Sequence, residues 1–257
     1  MNTSFSIAST GIRAYQGKLD TIANNIANVE TSGYKRREAA FSDNLAISIQ
    51  NQAEQQKEQG RISPPGIRTT FGSRLAGTSM DLTQGALKET NNPFDLMLVG
   101  DGYFQVQRTS GDTAQIMFTR SGAFQATPVG NDRLQLVTPE GDILLDQNGN
   151  PIEVASGADF QVLTDGTIAG STQKIAMVTI DNPQLLKNEG GAFLLNGANA
   201  VVTDTGVQMK QGFIESSNVD LSQEMTDMIK AQRGYQANAR ALSYADQMMG
   251  ISNGIIR

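Results

Sequence analysis

The sequence predicts an α+β protein: a helix at each end of the chain, the two paired as a coiled coil, with a mostly β domain inserted between them. Three observations carry this. Apolar or small residues recur at alternating steps of three and four at both ends. The middle changes to period two, broken by turn residues. A polar tract separates the first helix from that middle. The expected segments are an N-terminal heptad helix over 1–33, an extended connector over 34–77, the β domain over 78–213 and a C-terminal heptad helix over 214–257.

The N-terminal pattern runs Phe5, Ala8, Ile12, Tyr15, Leu19, Ile22, Ile26 and Val29. Unbroken steps of three and four put these residues on one seam of a helix. Glu30-Thr31-Ser32-Gly33 then reads as a stop. Such a helix has roughly 25 residues and is about 37 Å long. Asn24, Asn25 and Asn28 fall off the seam, where they are free to contact neighbouring helices or the Thr31–Lys35 turn.

The connector, from Asn44 to Gly66, is rich in Gln, Asn, Glu and Lys and ends in Pro64-Pro65-Gly66, which predicts an extended or partly helical stretch. Beyond it, Phe104–Val106, Ile116–Phe118 and Lys174–Ile180 read as short strands. Leu134–Val137 and Ile143–Leu145 flank Thr-Pro-Glu-Gly-Asp and read as a hairpin. Phe160–Leu163 and Ile168 flank an Asp-Gly turn and read as another.

The C-terminal pattern runs Leu221, Met225, Met228, Gln232, Tyr235, Ala239, Leu242, Asp246 and Met249, with Ser217 and Asp220 as a start signal and Gly250 as a stop. Gln232 and Asp246 interrupt an otherwise apolar seam. They mark either a seam that is only partly buried or a polar device that sets register. Two heptad helices at opposite ends of a chain can pair with each other and bring the termini together; the plainer alternative is two amphipathic helices packed on a globular core.

Composition excludes most chemistry. The 257 residues contain no Cys, no His and no Trp. Disulfides, Cys-ligated metals, thiol nucleophiles and every triad that needs a histidine base are therefore excluded. A net charge of −6 and a pI of about 4.8 disfavour a nucleic-acid partner. Lys35-Arg36-Arg37 is the one dense positive run and is short. Asp146-Gln-Asn-Gly-Asn150 opens like a calcium loop, but Pro151 and Gly157 stand where that loop needs Gly and Glu. Asp101, Asp112 and Asp165 each adjoin a glycine, as surface turns require, and no spacing singles out a catalytic pair. No catalytic, cofactor-binding or metal-ligating residues are expected, and the chain does not read as an enzyme. The N-terminus has neither the basic nor the apolar region of a secretory signal, and no apolar stretch nears the roughly 20 residues that insertion in a membrane needs.

Two motifs carry a family resemblance. Leu19-Asp-Thr-Ile-Ala-Asn-Asn-Ile-Ala-Asn-Val-Glu-Thr-Ser-Gly-Tyr-Lys35 resembles the N-terminal signature of bacterial flagellar basal-body rod and hook proteins, with Asn24, Asn25, Ala27, Asn28, Thr31, Gly33, Tyr34 and Lys35 at the matching positions. Ser217 to Tyr235 resembles the C-terminal signature of the same family. Gly100–Val106, Phe118–Gly122 and Gln211–Glu215 are similar to segments of distal-rod and hook subunits. The length and order of motifs resemble the distal-rod-like subunits of Gram-positive flagella more than a long hook protein, while the connector departs from the family pattern.

The resemblance implies paired terminal helices lining a tube, with β domains outside. It also implies export through the flagellar type III apparatus without a cleaved signal peptide, and a place in the basal body outside the cytoplasmic membrane. The implied function is a structural, torque-transmitting subunit of flagellum-dependent motility; the alternatives are a hook subunit or a transient assembly factor of the rod–hook junction. Its partners would be other copies of itself, neighbouring rod and hook subunits and the export apparatus. The expected contact residues are Phe5, Ile12, Tyr15, Leu19, Ile22, Asn24, Asn25, Ile26, Asn28, Val29, Thr31, Gly33 and Tyr34, answered by Leu221, Met225, Met228, Gln232, Tyr235, Leu242 and Met249.

Overall fold

The computed structural model describes residues 3–44, 46–49, 67–70, 72–110, 113–130, 133–155, 160–180, 186–189, 192–195, 200–202 and 206–255. They form two helices and a mostly β remainder, divided between two compact units. The first draws on 1–26, 37–79 and 220–257, the second on 27–36 and 80–219.

In the first unit, helix α1 spans Thr3–Ala27 and helix α2 spans Leu221–Ile255. Asp220 caps α2: its Oδ1 accepts the amides of Ser222 at 2.8 Å and Gln223 at 3.3 Å. Ser217, expected to share a capping box with Asp220, instead accepts the Val219 amide on its hydroxyl at 3.3 Å. Nor does α2 stop at Gly250. It continues to Ile255, since one helical glycine costs only about 1 kcal/mol relative to alanine.

The described part of the connector is extended backbone organised as strands. Strands β1 (Arg37–Asp43) and β2 (Ala46–Ile49) run out, and β3 (Ile67–Thr70) and β4 (Ser73–Met80) return. β1 pairs with β4, and β2 pairs antiparallel with β3 in the register Ala46↔Thr70 to Ile49↔Ile67. The described part of 34–77 is thus largely a two-stranded ribbon, and the polar run over 50–66 lies outside the described residues. Pro64-Pro65-Gly66 lies outside the described residues. The ribbon lies on α1, where a Cβ on Gly17 would sit 3.0 Å from Leu75 Cδ2. Phe41 also packs there, 6.1 Å from the Tyr15 ring centroid and 5.8 Å from Lys18 Nζ.

The second unit continues with β5 (Leu87–Glu89), β6 (Leu96–Val99), β7 (Tyr103–Ser110), β8 (Thr113–Thr119), β9 (Gln125–Pro128), β10 (Arg133–Val137), β11 (Ile143–Leu144) and β12 (Glu153–Ala155). It closes with β13 (Met177–Ile180), β14 (Leu186–Glu189), β15 (Ala192–Leu195), β16 (Ala200–Val202), β17 (Gln208–Gln211) and β18 (Phe213–Glu215). Among the described residues, ten strands join one sheet whose main path is β12-β10-β11-β7-β8-β15-β14. The expected Leu134–Leu145 hairpin is present as β10 and β11, paired at Val137↔Ile143. The expected Asp-Gly hairpin reduces to a single bridge, Val162↔Ile168, around its turn.

Period two explains why this sheet buries both faces. Phe104, Val106, Met117 and Met177 point one way, into a cluster with Leu96, Phe124, Leu136, Leu144, Ile152 and Ile175. Their neighbours Tyr103, Phe118 and Val178 point the other way, into a second cluster with Met80, Ile180 and Leu186. Phe104 and Phe124 meet edge to face with centroids 5.1 Å apart. β6 pairs with β17, and β5 with β18, as two further short ladders.

Because Phe104 is fully buried at the centre of the larger cluster, Phe104→Ala is expected to lower unfolding free energy by about 3–5 kcal/mol. Ile116→Ala, at a site 53% exposed on the neighbouring strand, is expected to stay within about 0.5 kcal/mol. Urea unfolding followed by circular dichroism checks both.

Candidate functional site

The terminal helices touch at three described places, and these run in opposite senses along the two helices. A Cβ on Gly11 would fall 2.6 Å from Asn238 Oδ1, and one on Gly234 would fall 2.5 Å from the Tyr15 ring. Asn25 Nδ2 donates to Glu224 Oε2 at 3.1 Å. Each step up α1 is matched by a step down α2, so the helices are antiparallel.

On α1 Ala8, Gly11, Ala14, Thr21, Ile22 and Asn25 are buried, a face broader than one three–four seam and displaced from the expected one. Tyr15 and Lys18 are half-buried beside them. On α2, Glu224, Ala231 and Ala245 are buried, with Met228, Asn238, Leu242 and Met249 half-buried beside them. Phe5, Leu221, Met225, Gln232 and Asp246 are exposed, as is Tyr235 at 37%. Ile12, Leu19, Ile26 and Val29 are half-buried. Ribbon and α2 together cover much of α1, whereas α2 keeps large apolar side chains in solvent: Leu221, Met225 and Ile229 towards its start, Tyr244, Met248 and Ile251 towards its end.

Asn25 is the hub of this unit. Its side-chain amide donates to the Arg37 carbonyl at 2.8 Å and accepts the Arg37 amide at 3.0 Å, so it takes the place of a strand partner at the start of β1. Its second contact is the Glu224 carboxylate on α2, which is 1% exposed. Asn24 bonds back along its own helix to the Asp20 carbonyl at 2.9 Å, and Asn28 accepts the Thr31 hydroxyl at 3.2 Å.

In the second unit three sequence-distant segments converge around one carboxylate. Glu215, at the end of β18, accepts from Lys35 Nζ at 2.7 Å and from Arg120 Nε at 2.6 Å, and takes the Gly85 amide at 2.9 Å. All three charged side chains are at most 5% exposed. Arg120 spends its other donors on the carbonyls of Gly102 and Gly100, and Lys35 also reaches the Thr83 carbonyl at 2.8 Å. The Glu215 carbonyl accepts the Gly33 amide at 2.9 Å and the Ser32 hydroxyl at 3.1 Å. Gly33 has φ of +70°, and a Cβ there would lie 2.6 Å from the Arg120 backbone, so both conformation and space call for glycine. Tyr34 beside it is half-buried. Asn218 completes the junction, accepting the Arg36 amide at 2.6 Å and donating to the Asp81 carbonyl at 3.0 Å.

Sequence reasoning named Gly33 but missed Glu215 and Arg120, which that glycine meets, and it missed Asn218, which takes the Arg36 amide; Thr31 bonds within its own turn, to Asn28. The available signals were a lysine closing the N-terminal motif and a glutamate closing Gln211–Glu215, both inside segments that carried the resemblance. Burial pushes the Glu215 carboxyl up, but the charge and hydrogen bond of Arg120, with the bonds from Lys35 and Gly85, outweigh it and hold the group below its ordinary 4.5. Burial likewise pushes the Lys35 ammonium below 10.5, against the upward pull of Glu215. Among the described residues no cluster of carboxylates is arranged to hold a metal ion, and no helix is long and apolar enough to cross a membrane.

A carboxyl depressed in the folded state contributes stability that is present above pH 4.5 and is lost as pH falls through the folded-state pKa. Glu215→Gln should therefore be destabilised by about 3 kcal/mol relative to the parent chain at pH 7. The gap should narrow steadily below pH 4.5; paired urea melts at pH 7 and pH 3 measure it.

Comparison with known proteins agrees at both ends and in the middle. Residues 5–35 match the flagella basal body rod protein family, residues 97–170 the D1 domain of flagellar hook proteins FlgE/F/G, and residues 210–255 the C-terminal region of flagellar basal body rod FlgEFG proteins. The chain is 32% identical to the flagellar hook-basal body complex protein FlhP of Bacillus subtilis, over 99% of this chain and 100% of that protein. It is 34% identical to the flagellar basal-body rod protein FlgG of Caulobacter vibrioides, over 94% of this chain and 95% of that one. It is also 34% identical to FlgG of Buchnera aphidicola from Baizongia pistaciae, over 95% of each. With its paired ends, its β insertion and this end-to-end similarity, the chain belongs to the flagellar basal-body rod and hook protein family.

Proposed function

We propose that this chain is a structural subunit of the flagellar basal body, a distal-rod-like axial protein that self-assembles through its terminal helices and transmits torque. The observation that carries this reading is similarity along the whole length to proteins named as flagellar basal-body rod and hook-basal body proteins. The same similarity supports a basal-body location and assembly with other axial proteins, and export through the flagellar type III apparatus belongs to this reading.

The helices supply the physical means. Ala8, Gly11, Ala14, Thr21, Ile22 and Asn25 of α1 and Glu224, Ala231 and Ala245 of α2 are buried, and in this reading those faces serve as the coiled-coil seam. α2 then has apolar side chains to spare on its remaining surface. Leu221, Met225 and Tyr235, exposed in the single chain, serve in this reading as contacts between copies, together with Phe5 of α1. Patches that differ from the surfaces they meet join head to tail and run on as helical assemblies rather than closing as dimers. A hook subunit or a transient factor of the rod–hook junction remains the second reading, favoured by the match of residues 97–170 to the hook D1 domain.

Deletion of the gene, complemented by the intact chain, tests the function. The expected outcome is non-motile cells whose basal bodies stop before or at the rod–hook junction in electron micrographs, restored by complementation. Normally assembled, rotating flagella in the deletion strain would contradict an axial role.

A further inference from the structure

We propose that Lys35, Glu215 and Arg120 form a latch that makes residues 31–36 a strap of the β unit, so that the three segments at the junction open together as one local unit. The inference concerns the second unit alone and does not depend on the assembly reading.

Three features set this junction apart from ordinary surface pairing. The charges are buried, and their separation in sequence is large: Lys35 to Glu215 spans 180 residues and Arg120 to Glu215 spans 95. Each segment is also tied to the others by backbone. Gly33 donates to the Glu215 carbonyl at 2.9 Å, Asp81 donates to the Arg36 carbonyl at 2.9 Å, and Ser216 donates to the Ala86 carbonyl at 2.9 Å. Asn218 bonds to both of the other segments. Finally, both oxygens of one carboxylate are used, Oε1 by Lys35 and Gly85 and Oε2 by Arg120. Withdrawing the strap therefore leaves Glu215 half-compensated in a dry site, an unfavourable state that relaxes only if the Glu215–Asn218 segment leaves as well.

The strap is anchored away from the main hydrophobic clusters. Among its residues only Gly33 and Lys35 are buried, and neither belongs to the apolar clusters. Its hold is thus polar, whereas the sheet is held by Phe104, Leu136 and their neighbours. Elements held by few apolar contacts open at lower free energy than the core, and they do so as contiguous cooperative units. Here the unit is contiguous in space and scattered in sequence.

Hydrogen exchange on the purified full chain, read amide by amide, tests the latch. Lys35→Met should speed exchange at Gly33, Arg36, Gly85 and Ser216 by one common factor of about a hundred. The core amides of Leu145 and Ile152, bonded within the sheet region, should keep their rates. Acceleration confined to residues 33–36 would overturn the proposal, because the segments would then open independently. Acceleration of the core amides by the same factor would also overturn it, since the triad would then report only global stability. If Lys35→Met does not fold, exchange of the unaltered chain in mild urea decides instead. The same four amides should converge on one opening transition below that of the core, and separate transitions for the three segments would end the proposal.

Discussion

The close approach of α1 and α2 is the constraint on which the helical unit rests. Gly11 faces Asn238 and Gly234 faces the Tyr15 ring with no room for a Cβ at either place. At each place a glycine leaves room for a side chain of the other helix. A tyrosine lying over a glycine turns the missing side chain into contact area for an aromatic ring. Further along the same pair, Asn25 reaches Glu224, and through the same amide the backbone of Arg37, where the ribbon begins. One asparagine therefore records the positions of α1, α2 and β1 together, and a change there leaves a buried carboxylate short of a partner.

The two terminal helices were legible in the sequence, but the buried face was not. Large apolar residues at Phe5, Leu221 and Met225 drew the expected seam towards themselves, and Gln232 and Asp246 then looked like interruptions in it. In the single chain all five are exposed, and the buried line passes one residue to the side, through Gly11, Glu224, Ala231 and Ala245. Small residues carry little hydrophobic signal, yet they let helices pack closely; a pattern read by apolar size finds the helix and misplaces the stripe. Tyr15, Ile22, Met228, Leu242 and Met249 lie in both lines.

The β unit divides the same way. Short strands with turn residues between them, such as Leu134–Leu145, announce themselves because pairing is local. The ribbon did not, since Ala46–Ile49 and Ile67–Thr70 are four-residue runs that pair across a long stretch of chain. The Lys35–Glu215–Arg120 cluster was further out of reach: its members sit in three separate segments, and only the fold makes them neighbours. All three segments, Leu19–Lys35, Phe118–Gly122 and Gln211–Glu215, had entered the family resemblance. The structure supplies a physical reason for what each of them contains, a cation, a cation and a carboxylate that are buried together.

The two units thus divide the labour by their chemistry. The β unit satisfies its own apolar surface on both faces of its sheet and locks its chain passages with charge. The helical unit leaves α2 with Met225 and Ile229, 56% and 52% exposed, as surface that one chain does not cover. A double substitution there, Met225→Asp with Ile229→Asp, tests the claim that this surface builds the axis, because exposed positions can change without disturbing the fold. The account predicts a purified protein with the helicity and unfolding midpoint of the parent, together with its absence from isolated basal bodies when it is the only copy in the cell. Incorporation of the variant at the parent's level would contradict assembly through the terminal helices.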